Sequence, residues 1–408
     1  MNNMTDINNM NNENNIIITN NTTQKKIIHN LGQYFTTNIE LKDIVYKFIL
    51  NEPTIILEPS IGQGDLVSYV IEKKPKIIFD MYEIDTTIKI FDSINKKNII
   101  YGDFMKQNIN KLYKTIIGNP PYVKTKKGNL YVDFITKCFN LLDTNGELIF
   151  IIPSDFLKLT CSTKILNIMI QEGTFTHIHH PNNEKLFENA SIDIIVFRYC
   201  KNKLLEKKTL YNDKLMHITN SNGLITFSDN INENKHLLKD YFDIYVGIVS
   251  GKDDVYKNNE FGNIEVLNGI NKNEKYIYIE KMPTDNVKLN EYMQSNKDIL
   301  LKRKIKKFNE NNWFEWGAPR NIKMMVQNIN QDCIYIYNLT RKENVAFIGK
   351  VNYFGGNLIM LKPKQKCDIN KIVNYLNTND FKKNFMFSGR FKIGHRQLSN
   401  SYIDSSNV

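Results

Sequence analysis

The residues of this chain best suited to chemistry lie in Ile116-Ile117-Gly118-Asn119-Pro120-Pro121-Tyr122. An Asn, two prolines and an aromatic sit directly behind a short apolar run. Each proline fixes its own φ and pushes the residue before it out of the helical region. The outcome is a rigid loop leaving the carboxyl end of a strand, with polar groups fixed at its tip. The Asn119 side-chain oxygen and the Pro120 carbonyl can then point together into a pocket that Tyr122 covers. Two acceptors and a ring face suit a planar amine, such as the exocyclic NH2 of a base. They would accept its two N–H protons, hold it beside an electrophile and stack its ring. Asn-Pro is also ordinary turn chemistry, so the loop needs support from the strand ends around it.

Those strands read as short apolar runs: Thr54–Leu57, Ile77–Tyr82, Ile99–Tyr101, Thr115–Gly118, Glu147–Ile152, Thr174–His179 and Ile192–Tyr199. Helical patterns lie between several of them. Tyr131, Ile135, Cys138 and Leu142 fall at i, i+4, i+7 and i+11, one face of a helix. Alternation of this kind predicts a doubly wound, mostly parallel sheet, which binds ligands beyond the carboxyl ends of its strands. Residues 1–24 are Asn-rich, lack apolar periodicity and are expected to be a disordered tail. A catalytic α/β domain is expected over 25–235. Beyond it the alternation stops, and the aromatic-rich, irregular residues 236–408 suggest a separate α+β domain.

Other strand ends carry matching chemistry. Glu58-Pro59-Ser60-Ile61-Gly62-Gln63-Gly64-Asp65 follows the first strand. Glycines let backbone pass close to a ligand. A P-loop would need Gly-Lys-Ser/Thr where Asp65-Leu66 stands, and a dinucleotide fingerprint would need Gly or Ala at Val67. An acid before the loop repels phosphate and suits a cationic amino acid moiety. Glu83, ending the second strand, can accept both hydroxyls of a ribose. Asp103, after the third, can accept an adenine N6 hydrogen bond with Phe104 lying on the ring. The ligand these parts describe is an adenosine with a charged amino acid end, and S-adenosylmethionine fits.

With these residues the chain resembles the class I S-adenosylmethionine-dependent methyltransferases, specifically the gamma (TaqI-like) group of adenine-N6 DNA methyltransferases. The resemblance covers roughly residues 27–200. Gly32-Gln33-Tyr34-Phe35-Thr36-Thr37 matches the leading cofactor motif, which assigns Tyr34 and Thr36 to the cofactor. Glu58 to Gly64 matches the glycine-rich motif, and Asn119 to Tyr122 the catalytic N-P-P-Y. Asn129-Leu130-Tyr131-Val132-Asp133-Phe134 matches the next motif, where Phe134 should touch the cofactor adenine. Glu184-Lys185-Leu186-Phe187 resembles the motif whose aromatic, here Phe187, packs on an extruded base. Ile61 departs from members that carry a smaller residue there. The resemblance implies a seven-stranded Rossmann-like sheet, S-adenosylmethionine as cofactor, double-stranded DNA as partner and a C-terminal recognition domain. It implies no metal, and leaves open whether a separate cognate restriction endonuclease accompanies the chain. A monomer is expected.

Bulk composition is compatible. The 408 residues carry a net charge of +11, which favours a polyanionic partner. No apolar run approaches a membrane span, nothing at the start resembles a signal peptide, and five scattered cysteines suggest reduced thiols. An intracellular, cytoplasmic protein is therefore expected, virion-associated if viral. Lys302, Arg303 and Lys304, then Trp313, Trp316 and Arg320, interleave basic and aromatic residues as phosphate contacts beside a wedge would. Arg390, Lys392 and Arg396 form a second basic group. His177 and His179 share a strand face, but no carboxylate or Cys completes a metal set. The rival readings are an RNA adenine methyltransferase, a protein glutamine methyltransferase using the same N-P-P-Y loop, and a nucleic-acid-binding protein without turnover. The long C-terminal region argues against the glutamine enzymes, which usually end soon after the catalytic fold.

Overall fold

A computed structural model describes residues 32–126, 128–187, 191–229 and 235–404. The expected Asn-rich tail lies outside these residues. The chain divides into two compact units, with the boundary between residues 231 and 232.

The N-terminal unit is built on one sheet. Its strands are β1 (Ile55–Glu58), β2 (Ile78–Glu83), β3 (Ile99–Tyr101), β4 (Tyr113–Gly118), β5 (Leu142–Pro153), β6 (Thr174–His179), β7 (Ile194–Cys200), β8 (Lys208–Tyr211), β9 (Lys214–Ser221) and β10 (Leu224–Ser228). They lie in the order β10-β9-β8-β6-β7-β5-β4-β1-β2-β3. The run from β3 through β2, β1 and β4 to β5 is parallel, and β7 is antiparallel to both β5 and β6. The helices are α1 (Ile39–Lys47), α2 (Asp65–Lys73), α3 (Leu130–Asn140) and α4 (Thr163–Glu172).

Period-two geometry explains why these runs are apolar on both sides. Leu57, Ile116, Leu148, Phe150 and Ile152 join one core together with Ile135 and Cys138 of α3. Their neighbours Ile56, Ile117, Ile149 and Ile151 join another with Leu41 of α1 and Val67 of α2. Each central strand therefore feeds two layers of helix, as a buried parallel sheet requires.

Two expectations need correction. Leu142 continues no helix: α3 ends at Asn140, and Leu142 is the buried first residue of β5. Among the described residues the sheet also has ten strands and not seven, because two hairpins extend it. Their turns are Asn212-Asp213 and Asn222-Gly223, all four at positive φ. That is the geometry whose twist matches a two-residue hairpin.

At the end of the sheet remote from the carboxyl tips of β1 and β4, Glu147 is fully buried. It accepts from Thr115 Oγ1 at 2.9 Å, Arg198 Nε at 2.7 Å, and the Leu50 and Asn51 amides. The carboxylate is thus neutralised and its lone pairs are used, which is what makes such burial tolerable.

In the C-terminal unit, β11 (Phe242–Val246), β12 (Asp332–Tyr337), β13 (Ala346–Lys350) and β14 (Leu358–Pro363) form an antiparallel sheet in the order β11-β14-β12-β13. Its core includes Trp313, Phe314 and Trp316. No described helix is long and apolar enough to cross a membrane.

Candidate active site

The carboxyl ends of β1, β2, β3 and β4 open onto one cavity of about 260 Å³. Glu58 closes β1 and Glu83 closes β2, while Asp103 and Asn119 stand just past β3 and β4. Strand order thus brings together four polar groups that lie far apart in sequence. Tyr34, Thr36, Gly62, Phe104 and Phe134 also line the cavity. Gly64, the remaining expected cofactor residue, does not. It caps α2 at φ 96°, where an added Cβ would come within 2.0 Å of Ile94 Cδ1. Glycine is what that turn permits.

Burial and hydrogen bonding give each acid a distinct character. Glu58 is only 2 % exposed. Burial pushes its carboxyl up to about 8, against the Ser60 amide at 3.0 Å and the Ser60 side chain, which oppose the shift. Nearby Glu83 adds to the rise. Glu83 is raised too, again by burial, but backbone amides oppose it, among them Gly62 at 2.8 Å and Asp85 at 2.9 Å. A carboxylate offers about four acceptor positions, so it keeps capacity for a diol. Asp103 Oδ1 caps the short turn Phe104–Lys106 through the Met105 amide at 3.0 Å. Beside it the Phe104 and Phe134 rings stack, with centroids 5.3 Å apart and planes at 29°. Lys137 Nζ lies 4.6 Å from the Phe104 centroid and donates to the Phe104 and Gln107 carbonyls.

The Asn119 amide has a fixed orientation. Its Nδ2 donates to the Tyr34 carbonyl at 2.7 Å and to Thr36 Oγ1 at 3.1 Å. A carbonyl only accepts, so the NH2 must face Tyr34 and the oxygen must face away. Tyr122 donates its hydroxyl to that oxygen at 2.6 Å, with the Ile151 carbonyl at 3.1 Å as a second acceptor. One lone pair of Asn119 Oδ1 stays open. Burial holds the Tyr122 phenol well above its usual range, so it remains a donor at all ordinary pH.

Three aromatics crowd beside this amide. Tyr34 stacks on Tyr122 at 5.2 Å and 27°, and Phe187 lies 5.8 Å from Tyr34 and 6.2 Å from Tyr122. The expected pair of stacking residues is therefore brought together, but the Tyr34 ring covers the Tyr122 face. Asn119 and Pro121 line the cavity, whereas Pro120 and Tyr122 lie outside its lining. The expectation that Tyr122 covers the pocket is corrected in that respect: its ring is turned onto Tyr34.

Gln33, inside the leading motif, carries no sequence signal that separates it from its neighbours, yet it reaches the site. Its Nε2 donates to Asp85 Oδ2 at 3.2 Å, while its Oε1 is buried without a partner on the cavity wall. A buried amide oxygen left bare beside a cavity is an acceptor ready for a ligand N–H or O–H.

The expected nucleic-acid contacts fare unevenly. Trp313 and Trp316 are core residues, and Trp316 gives its indole N–H to the Ile277 carbonyl at 2.8 Å. The Arg303 guanidinium donates to the carbonyls of Leu300, Ser250, Trp313 and Glu315 and lies 3.8 Å from the Phe308 centroid. It is a staple of the C-terminal core, with its donors already used. Lys302, Lys304 and Arg320 are exposed. Arg390 and Lys392 both lie against the Phe387 ring, and Arg396 is half-buried. Among the described residues no group of three or more His, Cys, Asp or Glu is arranged to hold a metal ion.

The family described as Eco57I restriction-modification methylase matches residues 67–187, which include Asn119 to Tyr122 and Phe187. The Type II methyltransferase M.HincII of Haemophilus influenzae is 30% identical over 210 residues, 46% of this chain and 40% of that protein. The chain thus spans less than half the length of that relative. The ribosomal RNA small subunit methyltransferase A of Onion yellows phytoplasma is 33% identical over 205 residues, 44% of this chain and 70% of that protein. Among solved structures, the Type IIL restriction-modification enzyme MmeI, determined in complex with DNA, superposes with a TM-score of 0.57. That match has 10% identity and covers 97% of this chain and 67% of MmeI, a likeness of fold alone.

Proposed function

We propose that the chain is an S-adenosylmethionine-dependent methyltransferase of restriction-modification type that methylates the N6 amine of an adenine in DNA. The observation that carries the reading is the Asn119 amide. It is fixed by Tyr34 and Thr36, stands at the carboxyl end of β4 and faces the cavity formed by Glu58, Glu83 and Asp103.

The cavity fits the methyl donor. Glu58 offers a buried carboxyl toward a cationic amino acid end, and Glu83 keeps acceptor capacity for ribose hydroxyls. Asp103 stands beside the stacked rings of Phe104 and Phe134, which suit an adenine. When bound, S-adenosylmethionine supplies an electrophilic methyl on a sulfonium.

The remaining work falls to the protein. An adenine inside a duplex has its amine half used by pairing and its ring stacked, so the base must be extruded, at a cost of a few kcal/mol. Asn119 Oδ1 has one lone pair left by Tyr122, and the Pro120 carbonyl supplies a second acceptor for the two N6 protons. Accepting both draws the nitrogen toward tetrahedral geometry and directs its lone pair at the methyl. Tyr122 and Phe187 restore stacking once the Tyr34 ring leaves the Tyr122 face. The chemistry is positioning and electrostatics.

The preference for adenine rests on the gamma-group layout, with a cofactor motif before β1 and a second unit after the catalytic one. A second reading, an RNA adenine as substrate, is favoured by the similarity to the ribosomal RNA enzyme. Transfer of labelled methyl to DNA and to RNA, with digestion and mass spectrometry of the nucleosides, tests both. N4-methylcytosine or methylated RNA in place of N6-methyladenine in DNA overturns the first reading.

A further inference from the structure

The C-terminal unit contains a basic hollow that the expected contact residues do not describe. It lies between the strand Leu339–Thr340, the short helix Asn379–Lys382 and the hairpin formed by Met386–Phe387 and Arg390–Lys392. Its volume is about 310 Å³. Arg341, Lys342, Lys382 and Lys383 line it, and no acid does.

The fold holds three of these cations in place. Lys342 Nζ donates to the Tyr337 hydroxyl at 3.0 Å and lies 4.7 Å from its ring centroid. Lys382 Nζ donates to the Glu343 carbonyl at 2.9 Å, and Lys383 Nζ pairs with Asp380 at 2.5 Å. Of the three, only Lys383 has a carboxylate partner here. Arg341 is exposed and has no hydrogen bond or ion pair among the described residues. Arg390 and Lys392 stand on the adjoining hairpin, both against Phe387. At its turn, Gly389 has φ 72° and open space within 4 Å of where a Cβ would be, so nothing obstructs approach there.

The contrast with the lysine-rich run at 302–307 is instructive. There Arg303 is consumed by backbone carbonyls and Lys306 pairs with Glu315 at 2.7 Å. In the hollow, like charges converge from segments some forty residues apart. Such convergence costs repulsion unless an anion relieves it. A guanidinium beside pre-placed ammonium groups matches a phosphodiester, with Arg supplying a planar fork and Lys supplying point charges.

We propose that this hollow holds a backbone phosphate of the nucleic-acid substrate, with Arg341 as its principal donor. The inference rests on the DNA reading above and adds a contact site to it.

The test uses the full chain and an unmethylated duplex, with binding measured between 50 and 200 mM salt. Each lost phosphate contact lowers the log–log slope by about 0.9, so across that range Arg341→Ala should lose about 3.5-fold less affinity than the unaltered chain. Arg341→Ala/Lys342→Ala should also lose about 3.5-fold less, because both residues serve the same phosphate. Arg341→Lys keeps the charge and should keep the slope. S-adenosylmethionine binding, measured separately, should not change in any variant. An unchanged slope in the double variant overturns the hollow while methyl transfer to the same duplex leaves the DNA reading standing. Inorganic phosphate that binds at Arg341 without competing with duplex would make this a free-anion site and also overturn it. An unaltered chain that neither binds nor methylates duplex overturns the DNA reading and the hollow with it.

Discussion

A Glu58 carboxyl that receives the cationic end of the cofactor should make cofactor binding a proton-linked event. Burial raises it to about 8 in the ligand-free cavity, so at pH 7 roughly nine in ten copies carry a proton. A cationic amino group beside it favours the carboxylate, so binding selects the ionised form and releases a proton. The association constant should then follow the ionised fraction. It should rise about ninefold from pH 6 to 7 and about fivefold more from pH 7 to 8. Calorimetry in buffers of different ionisation enthalpy should register close to one proton released at pH 7. Glu58→Gln should bind more weakly and lose the slope. The same group acts on stability with the opposite consequence. Its folded-state value lies above the ordinary 4.5, so its contribution is present below that pH and is lost as pH rises toward 8. Glu58→Gln should therefore stabilise the ligand-free protein across that window. Affinity that is flat from pH 6 to 8 with no proton release, or a Gln variant that keeps the slope, would refute the reasoning.

Further outcomes follow from the same geometry. Asn119→Ala removes the fixed acceptor and should abolish methyl transfer while S-adenosylmethionine binding, read by calorimetry, survives. Tyr34→Ala uncovers the Tyr122 face. With aromatic pairs worth about 0.5–1.5 kcal/mol, it should tighten binding of a duplex mismatched at the target base by roughly 2- to 12-fold. At Gly118 an added Cβ would stand 2.9 Å from Glu58 Oε1 and 3.1 Å from the Phe150 ring, so Gly118→Ala should weaken cofactor binding sharply with little change in melting temperature. Arg198→Met leaves the Glu147 carboxylate buried without its cation and should cost about 3–5 kcal/mol in denaturant unfolding, with cofactor affinity per folded molecule unchanged.

Much of the catalytic fold was legible because buried parallel strands are apolar on both faces and stand out as short runs. Their ends carried the chemistry in a readable order: Glu58, Glu83, Asp103, Asn119. Asn212-Asp213 and Asn222-Gly223 were hairpin signals of a known kind, yet β8 to β10 went unread because their apolar alternation is weak on an exposed sheet edge. The covering of Tyr122 by Tyr34 could not be read, since the two are 88 positions apart and meet only through the fold. The C-terminal unit was least legible. A basic residue next to tryptophans looks the same in sequence whether it faces phosphate or, like Arg303, caps carbonyls inside a core. The cations of the hollow come from separate segments, and linear charge clustering favours runs such as 302–307 over such convergence.

The central claim is transfer of a methyl group to the N6 amine of adenine in DNA. It is tested most directly by incubating the chain with labelled S-adenosylmethionine and unmethylated genomic DNA, with an RNA pool in parallel, then separating the digested nucleosides by mass spectrometry. Label is expected in N6-methyladenine from DNA, absent with Asn119→Ala. Label confined to RNA, or recovered as N4-methylcytosine, would contradict the claim.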